Sequence, residues 1–312
     1  MEQIELKMLQ ALPLDVKILK TKQRIREWYE YWNGKVYISF SGGKDSTVLL
    51  HLVRNLYPDV VAVYCDTGLE FPEIKEFVKE TENVVTLRPE MNFKKVITEY
   101  GYPIISKEIA LTIEYARKGS AWAISKLNGE REWGNHKKYK FLLDAPFKIT
   151  DKCCYKMKKE PFKIYEKETE LKPFIGTMAS EGGQRETAYK RTGCNSFESA
   201  KPKSVPLGFW MEQDIWDYLN LYKIPHSKIY DMGYQRTGCM FCAFGAHLEK
   251  GENRFQRMQR THLKQYTYCM KDTDKGGLGM AKVLDYINVP YENNIDILKT
   301  SEGVKYQQFK IT

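Results

Sequence analysis

Four cysteines fall in two pairs far apart in the sequence: Cys153 and Cys154 are adjacent, and Cys239 and Cys242 are spaced as Cys-x-x-Cys. Four soft thiolates suit zinc or an iron–sulfur cluster. Adjacent ligands crowd a small tetrahedral ion and sit more easily around a larger cluster, whereas Cys-x-x-Cys is common in structural zinc sites, so the residues alone leave both open. The second constellation is Ser39-Phe-Ser-Gly-Gly-Lys-Asp-Ser46. Gly42 and Gly43 let backbone N–H groups approach an anion with no Cβ in the way. Ser39, Ser41 and Ser46 offer hydroxyls, Lys44 offers charge, and a helix beginning near Asp45 adds its positive end. Together they form a phosphate nest. Its spacing fits neither Gly-x-x-x-x-Gly-Lys-Ser/Thr nor Gly-x-Gly-x-x-Gly, which excludes a Walker loop and a dinucleotide fingerprint.

These groups need elements to hold them. Residues 36–40 read as a buried strand and 47–53 as a helix, so the nest joins the two. Residues 60–65 form another β-rich run, ending in Asp66-Thr-Gly-Leu-Glu-Phe-Pro-Glu73 with Pro72 placed to open a helix. Taken alone, Asp66-Thr-Gly is an ordinary turn; in an open α/β sheet, Asp66 and Thr67 lie at strand ends that bind ligands. Residues 174–178 read as a strand. Residues 207–218 lead a tryptophan into an amphipathic helix, where Ile215, Leu219 and Tyr222 make a packing face.

The nest resembles the PP-loop, Ser-Gly-Gly-x-Asp-Ser, of the ATP pyrophosphatases and the sulfonucleotide (PAPS/APS) reductases. Further motifs follow in that family's order. The Asp66 segment is similar to an Asp-Thr-Gly-x-x-Phe-Pro-Glu segment that lies beside the adenosine. Cys153-Cys-Tyr-Lys-Met-Lys-Lys-Glu-Pro-Phe162 resembles the Cys-Cys-x-x-Arg-Lys-x-x-Pro-Leu of cluster-containing reductases, with Lys158 at the lysine and Pro161 at the proline. Met157 and Phe162 depart from that pattern. Gly183-Gln-Arg-Glu186 looks like the turn that meets phosphate or sulfate, with Arg185 as a bidentate anion ligand. Tyr234-Gln-Arg-Thr-Gly-Cys-Met-Phe-Cys242 resembles Gly-Tyr-x-x-x-Gly-Cys-x-x-Cys.

The resemblance covers roughly residues 35–245. It implies an α/β, parallel-sheet, adenine nucleotide alpha hydrolase-like (PP-loop) fold with N- and C-terminal helical extensions. It also implies an adenine nucleotide, ATP with Mg2+, held by Ser39, Ser41, Gly42, Gly43, Lys44, Asp45, Ser46, Asp66, Thr67, Gly68 and Arg185. Lys44, Asp45 and Arg185 take catalytic roles, and Cys153, Cys154, Cys239 and Cys242 hold a [4Fe–4S] cluster.

A chain of 312 residues allows one large domain with extensions. The expected division is a helical arm over 1–34, the nucleotide-binding domain with its cysteine site over 35–250, and a helical extension over 251–312. Helices are expected over 18–32 and 255–270. Seven cysteines with no signal peptide and no long uncharged apolar run describe a soluble cytoplasmic protein with free thiols and no membrane span.

A net charge of +9 suits polyanionic partners. Lys137, Lys138, Lys140, Lys156, Lys158, Lys159 and Lys163 gather near the first cysteine pair, while Trp28, Tyr29, Tyr31 and Trp32 punctuate the arm. Cations interleaved with aromatics favour single-stranded nucleic acid. A solvated basic face over buried aromatics explains each cluster equally well. His247 reads as a surface or packing residue.

The other three cysteines bear on reaction class. Cys65 ends a buried strand and reads as packing. Cys194 lies near Arg185 in sequence, so a positive field would lower its pKa and make it a catalytic nucleophile or sulfur carrier. Cys269 reads as structural. The reductases attack with a thiol in a Glu-Cys-Gly-x-His segment near the C-terminus, whereas this sequence ends Tyr306-Gln-Gln-Phe-Lys-Ile-Thr312 and its last cysteine is Cys269. The expectation is therefore an ATP pyrophosphatase and sulfurtransferase that adenylates an acceptor, as in DNA phosphorothioation or tRNA thiolation. Its acceptor is nucleic acid, and its sulfur comes from a donor protein such as a cysteine desulfurase. The alternatives are a sulfonucleotide reductase giving sulfite and a non-catalytic nucleotide-sensing subunit.

Overall fold

The computed structural model describes residues 2–293 other than 133. Helices α1 (Gln3–Gln10) and α2 (Leu14–Tyr31) come first, with Pro13 fixing the entry into the second. This segment packs into the domain and is no free arm. Ile25 and Trp28 are wholly buried, and the buried Lys17 ammonium meets Asp214 at 2.5 Å. Trp210 donates its indole N–H to Thr21 at 2.9 Å, and Thr21 donates to the Pro206 carbonyl at 3.3 Å. The aromatics of the arm are spent on packing: Tyr29 stacks on Tyr57 with centroids 3.6 Å apart, and Trp28 and Tyr31 both pack on Phe197.

Strand β1 (Val36–Ser39) runs through the loop into α3 (Lys44–Arg54). Then come β2 (Ala62–Cys65), α4 (Pro72–Glu80), whose proline opens the helix as expected, and β3 (Val84–Leu87). Helix α5 (Phe93–Glu99), strand β4 (Ile104–Ile105) and helices α6 (Lys107–Arg117) and α7 (Ala121–Asn128) follow. A π-helical turn, Tyr155–Lys159, leads into α8 (Glu160–Thr169) and β5 (Lys172–Ile175). Helix α9 (Gly183–Thr192), strands β6 (Asn195–Ser196) and β7 (Lys203–Ser204), helix α10 (Glu212–Leu221) and strand β8 (Ala243–Phe244) complete this unit.

Six strands form one sheet in the order β3-β2-β1-β5-β7-β6, parallel except for the β6–β7 pair, while β4 and β8 pair separately. Every residue of β2 is buried, as expected of a parallel sheet covered on both faces. The chain moves outward from β1 through β2 to β3, then returns to the other side of β1 at β5. The crevice beyond the carboxyl ends of β1 and β5 is therefore the topological switch point, where sheets of this kind bind ligands.

Two expectations shift. The strand expected over 174–178 lies at Lys172–Ile175, in register with Val36–Ser39, and Met178 already caps the next turn. The helix expected over 255–270 breaks at His262 (φ −137°, ψ 60°) into α11 (Arg254–Thr261) and α12 (Leu263–Met270). The chain divides at Phe244, so residues 1–34 belong to the first unit. In the second unit, α12 touches both α11 and α13 (Met280–Tyr286). Residues 294–312, with the terminal sequence that bears on reaction class, lie outside the described residues.

Candidate functional site

The nest occupies the switch point. Gly42 takes φ +71°, and a Cβ there would stand 2.8 Å from Val78 Cγ2, so both conformation and space require glycine. A Cβ on Gly43 would stand 2.7 Å from Thr237 Oγ1. Gly43 is also the N-cap of α3, whose first amide, that of Lys44, donates to the Tyr230 hydroxyl at 2.7 Å. Ser46 Oγ accepts from the Ser41 amide at 3.1 Å and donates to the Gly43 carbonyl at 2.9 Å, while Ser41 Oγ accepts from the Gly43 amide at 3.3 Å. These hydroxyls hold the loop in shape. Ser39 ends β1, half-buried and paired with Val63 and Ile175.

Charge gathers around this loop from several elements. The buried Lys44 ammonium lies 3.2 Å from Asp45 Oδ1 and 3.3 Å from Glu212 Oε1. Burial alone would lower it, but Asp45, Tyr230 and Glu212 outweigh burial and raise it. Burial pushes the Asp45 carboxyl above its usual range, against the pull of Lys44. Arg185, on α9 beyond β5, is within electrostatic reach of Asp45, and burial followed by the neighbouring Arg236 lowers its guanidinium. Glu181 ties the two arginines together, pairing with Arg185 and lying 3.9 Å from Arg236 Nη2. Two forked cations sharing one carboxylate keep donors available for an incoming anion.

The turn after β2 is built from its own side chains. Asp66 Oδ1 accepts from the Gly68 amide at 3.1 Å and pairs with Lys75 at 2.7 Å. Burial pushes this carboxyl up, but those partners hold it below the ordinary range. Gly68 takes φ +76° in the turn. The buried Thr67 donates its amide and hydroxyl to Glu70 at 3.0 and 2.7 Å, so that hydroxyl belongs to the scaffold.

The four paired cysteines act on one another. Burial pushes the Cys153 thiol up, and Cys239, Cys154 and Cys242 push it further. Burial likewise raises Cys239, opposed by Lys158. The Met240 amide donates to the Leu69 carbonyl at 2.9 Å, which fastens the Cys-x-x-Cys to the turn after β2. Half-exposed Lys158 lies 3.8 Å from Glu70 Oε1; burial would lower its ammonium, but Cys239 and Glu70 raise it. Among the described residues, no three His, Cys, Asp or Glu side chains stand at the spacing that holds a metal ion.

The remaining cysteines are buried. Burial pushes Cys65 up to about 12, and its Sγ faces the Met157 carbonyl at 3.4 Å. Cys194 is a correction in direction: burial raises its thiol, Tyr189 OH lies 3.5 Å away, and the cation acting on it most is Arg24 on α2, not Arg185. It is not brought to the nest. Burial raises Cys269 as well.

Glu70, Glu181, Tyr230, Arg236 and Thr237 join these sites without having been singled out. Glu181 stands four residues before Arg185, and Arg236 three before Cys239, so each had a local cue. Thr237, two before Cys239, shares that cue, whereas Tyr230 had none, because tertiary packing alone brings it to Gly43 and Lys44.

Residues 35–104 and 105–244 match the family described as phosphoadenosine phosphosulfate reductase domain. The chain is 29% and 26% identical to two uncharacterised proteins of Methanocaldococcus jannaschii over 75% and 74% of its length, and it spans 41% and 47% of theirs, less than half in each case. It is 26% identical over 231 residues to the adenosine 5'-phosphosulfate reductase of Staphylococcus haemolyticus, covering 72% of this chain and 76% of that one. Among solved structures, the phosphoadenylyl-sulfate (PAPS) reductase from Candida auris aligns over 77% of this chain and 96% of its own at 16% identity, with a TM-score of 0.42. The FMN adenylyltransferase of Candida glabrata aligns over 75% and 66% at 16% identity, with a TM-score of 0.44. Because the family match runs through every strand from β1 to β8, this α/β chain belongs to the phosphoadenosine phosphosulfate reductase domain family.

Proposed function

We propose that the protein is an ATP pyrophosphatase that adenylates an acceptor and supports insertion of sulfur into it, the acceptor being nucleic acid. The observation that carries this reading is the state of the three unpaired cysteines: Cys65, Cys194 and Cys269 are all buried with thiols shifted upward. A reductase that attacks a sulfonucleotide through sulfur needs a reachable thiolate, and none of the three offers one. The net charge of +9 supports a polyanionic acceptor.

On this reading the triphosphate lies over Gly42, Gly43 and the start of α3, with Arg185 and Arg236 facing the transferring adenylyl group. An acceptor oxygen attacks the α-phosphorus, the bond to the bridging oxygen breaks, and pyrophosphate leaves. The terminal sulfur of a persulfide on a donor protein such as a cysteine desulfurase then attacks the activated acceptor and AMP departs. Two equivalents of a thiol reductant cleave the resulting acceptor–S–S–Cys bond, leaving sulfur on the acceptor, a free thiol on the donor and the reductant as its disulfide. Lys44 and the two arginines neutralise charge that builds up on the phosphates. Mg2+ bound with ATP would supply further neutralisation. The four thiols of Cys153, Cys154, Cys239 and Cys242 suit a thiophilic centre by donor type, though they do not stand at metal-holding spacing among the described residues, and a [4Fe–4S] cluster held by them would supply a redox-active place for sulfur.

A second reading, reduction of a sulfonucleotide to sulfite, is favoured by the names of relatives such as the Staphylococcus haemolyticus enzyme. Anaerobically purified protein given ATP, or adenylyl sulfate and its 3′-phosphate, separates the two. Pyrophosphate from ATP and no sulfite is the expected result, with most ATP-dependent activity retained in Cys269→Ser. Sulfite release that vanishes in Cys269→Ser would place the protein among the reductases.

A further inference from the structure

A hollow of about 520 Å³ opens beside the cysteine site, with Cys154 in its wall. Four lysines line it, Lys107 from α6 and Lys152, Lys156 and Lys159 from the segment around the π-helical turn, against one acidic residue, Asp151. Lys152 is paired with Glu114 and Lys156 with Glu160, each at 2.8 Å. Lys107 and Lys159 are exposed and have no ion-pair partner among the described residues. No described residue neutralises their positive charge.

The hollow also carries aromatic faces. Tyr155 is 38% exposed, with the Lys163 ammonium 5.0 Å and the Lys156 ammonium 5.9 Å from its ring centroid. Tyr100 lies beside it with Lys152 at 5.4 Å. Exposed lysines are point charges that track a phosphate backbone in a salt-dependent way, and flat rings offer stacking to bases of any sequence. A duplex turns its bases inward and leaves such rings unused. The volume is that of a pocket for a nucleotide-sized group.

We infer that this hollow is the docking surface for single-stranded nucleic acid, which brings a nucleotide to the wall formed by Cys154. The inference rests on the proposed nucleic acid acceptor and adds where that acceptor lies and in what form. The π-helical turn explains why these groups share one wall: its wider winding follows directly on Cys153 and Cys154 and carries Tyr155, Lys156 and Lys159.

The test uses the anaerobically purified full chain and a fluorescent oligothymidylate of about 20 nucleotides, long enough to cover one binding groove. Anisotropy is read against the same strand annealed to oligodeoxyadenylate. The single strand is expected to bind at least about tenfold tighter than the duplex, since only its bases can stack. Lys107→Ala with Lys159→Ala is expected to lower the slope of log affinity against log salt by about 1.4, some 0.7 for each lost phosphate contact. Tyr155→Ala is expected to weaken binding about tenfold with little change in that slope. ATP affinity by calorimetry and the melting temperature should hold in all of these variants, which shows that they fold.

Equal affinity for duplex, or unchanged oligonucleotide binding in the lysine pair variant, overturns the inference. So does a result in which the variants lose only sulfur transfer from a cysteine desulfurase, which would make the hollow a protein-docking face. Loss of pyrophosphate release with oligonucleotide binding intact would sink the proposed activity and leave the docking surface standing.

Discussion

Lys158 lies 3.8 Å from Glu70, joining the segment that carries the adjacent cysteines to the turn after β2. Glu70 meanwhile accepts both the amide and the hydroxyl of Thr67. One buried carboxylate thus serves the strand-end turn and the cysteine site together. Glu70→Ala is expected to destabilise the protein by about 2 kcal/mol, because it strands two buried donors. Glu70→Gln keeps an acceptor and should cost clearly less. Urea denaturation of the two variants checks this, and equal losses would show that Glu70 does not organise the turn.

If the proposed nucleotide site is right, Gly43→Val should reduce ATP affinity at least about tenfold, since a side chain there would crowd the loop surface assigned to phosphate. The nearest obstacles to that Cβ are the side-chain hydroxyls of Thr237, Ser41 and Tyr230, which can give way, so the melting temperature should fall only modestly. Calorimetric titration with ATP decides the matter. Wild-type affinity in this variant would remove the loop from the binding site.

Burial raises the folded pKa of Asp45 above its unfolded value, against Lys44. An ionised Asp45 therefore costs stability at all pH above that raised value, and the cost fades as pH falls through it towards the ordinary aspartate range. Asp45→Asn should melt higher than wild type at neutral pH, with the gap closing as pH is lowered through that window. ATP turnover should drop in the same variant. Thermal melts across pH test the sign: a lower melting temperature at neutral pH would mean that the Lys44 pair outweighs the burial.

Anaerobically prepared protein is expected to be brown and to contain iron and labile sulfide, both reduced in Cys239→Ser. The ground is four soft donors acting on one another. Elemental analysis that finds one zinc per chain and no iron after anaerobic reconstitution would assign the thiols to a structural site.

Local chemistry made much of this fold and site legible. The strand, nest and helix over residues 36–54 follow from apolar runs and two glycines, and Pro72 marks the start of α4. Arg185 and Asp45 come into electrostatic reach because both lie at the carboxyl edge of the sheet. Less legible was anything set by packing between distant segments. Cys194 is near Arg185 in sequence, yet α2 covers it and burial reverses the expected shift of its thiol. The aromatics of α2 looked suited to bases and instead fill the space against Phe197 and Tyr57.

The pair between Lys17 and Asp214 joins positions 197 residues apart. An ammonium or a carboxylate left alone in that interior costs far more than the pair contributes. In an ancestry of exchanged segments, a crossover between α2 and α10 that mixes this sequence with one lacking the matching partner would strand one charge. A chimera built from this chain therefore has to take α2 and α10 from the same parent, or exchange Lys17 and Asp214 together.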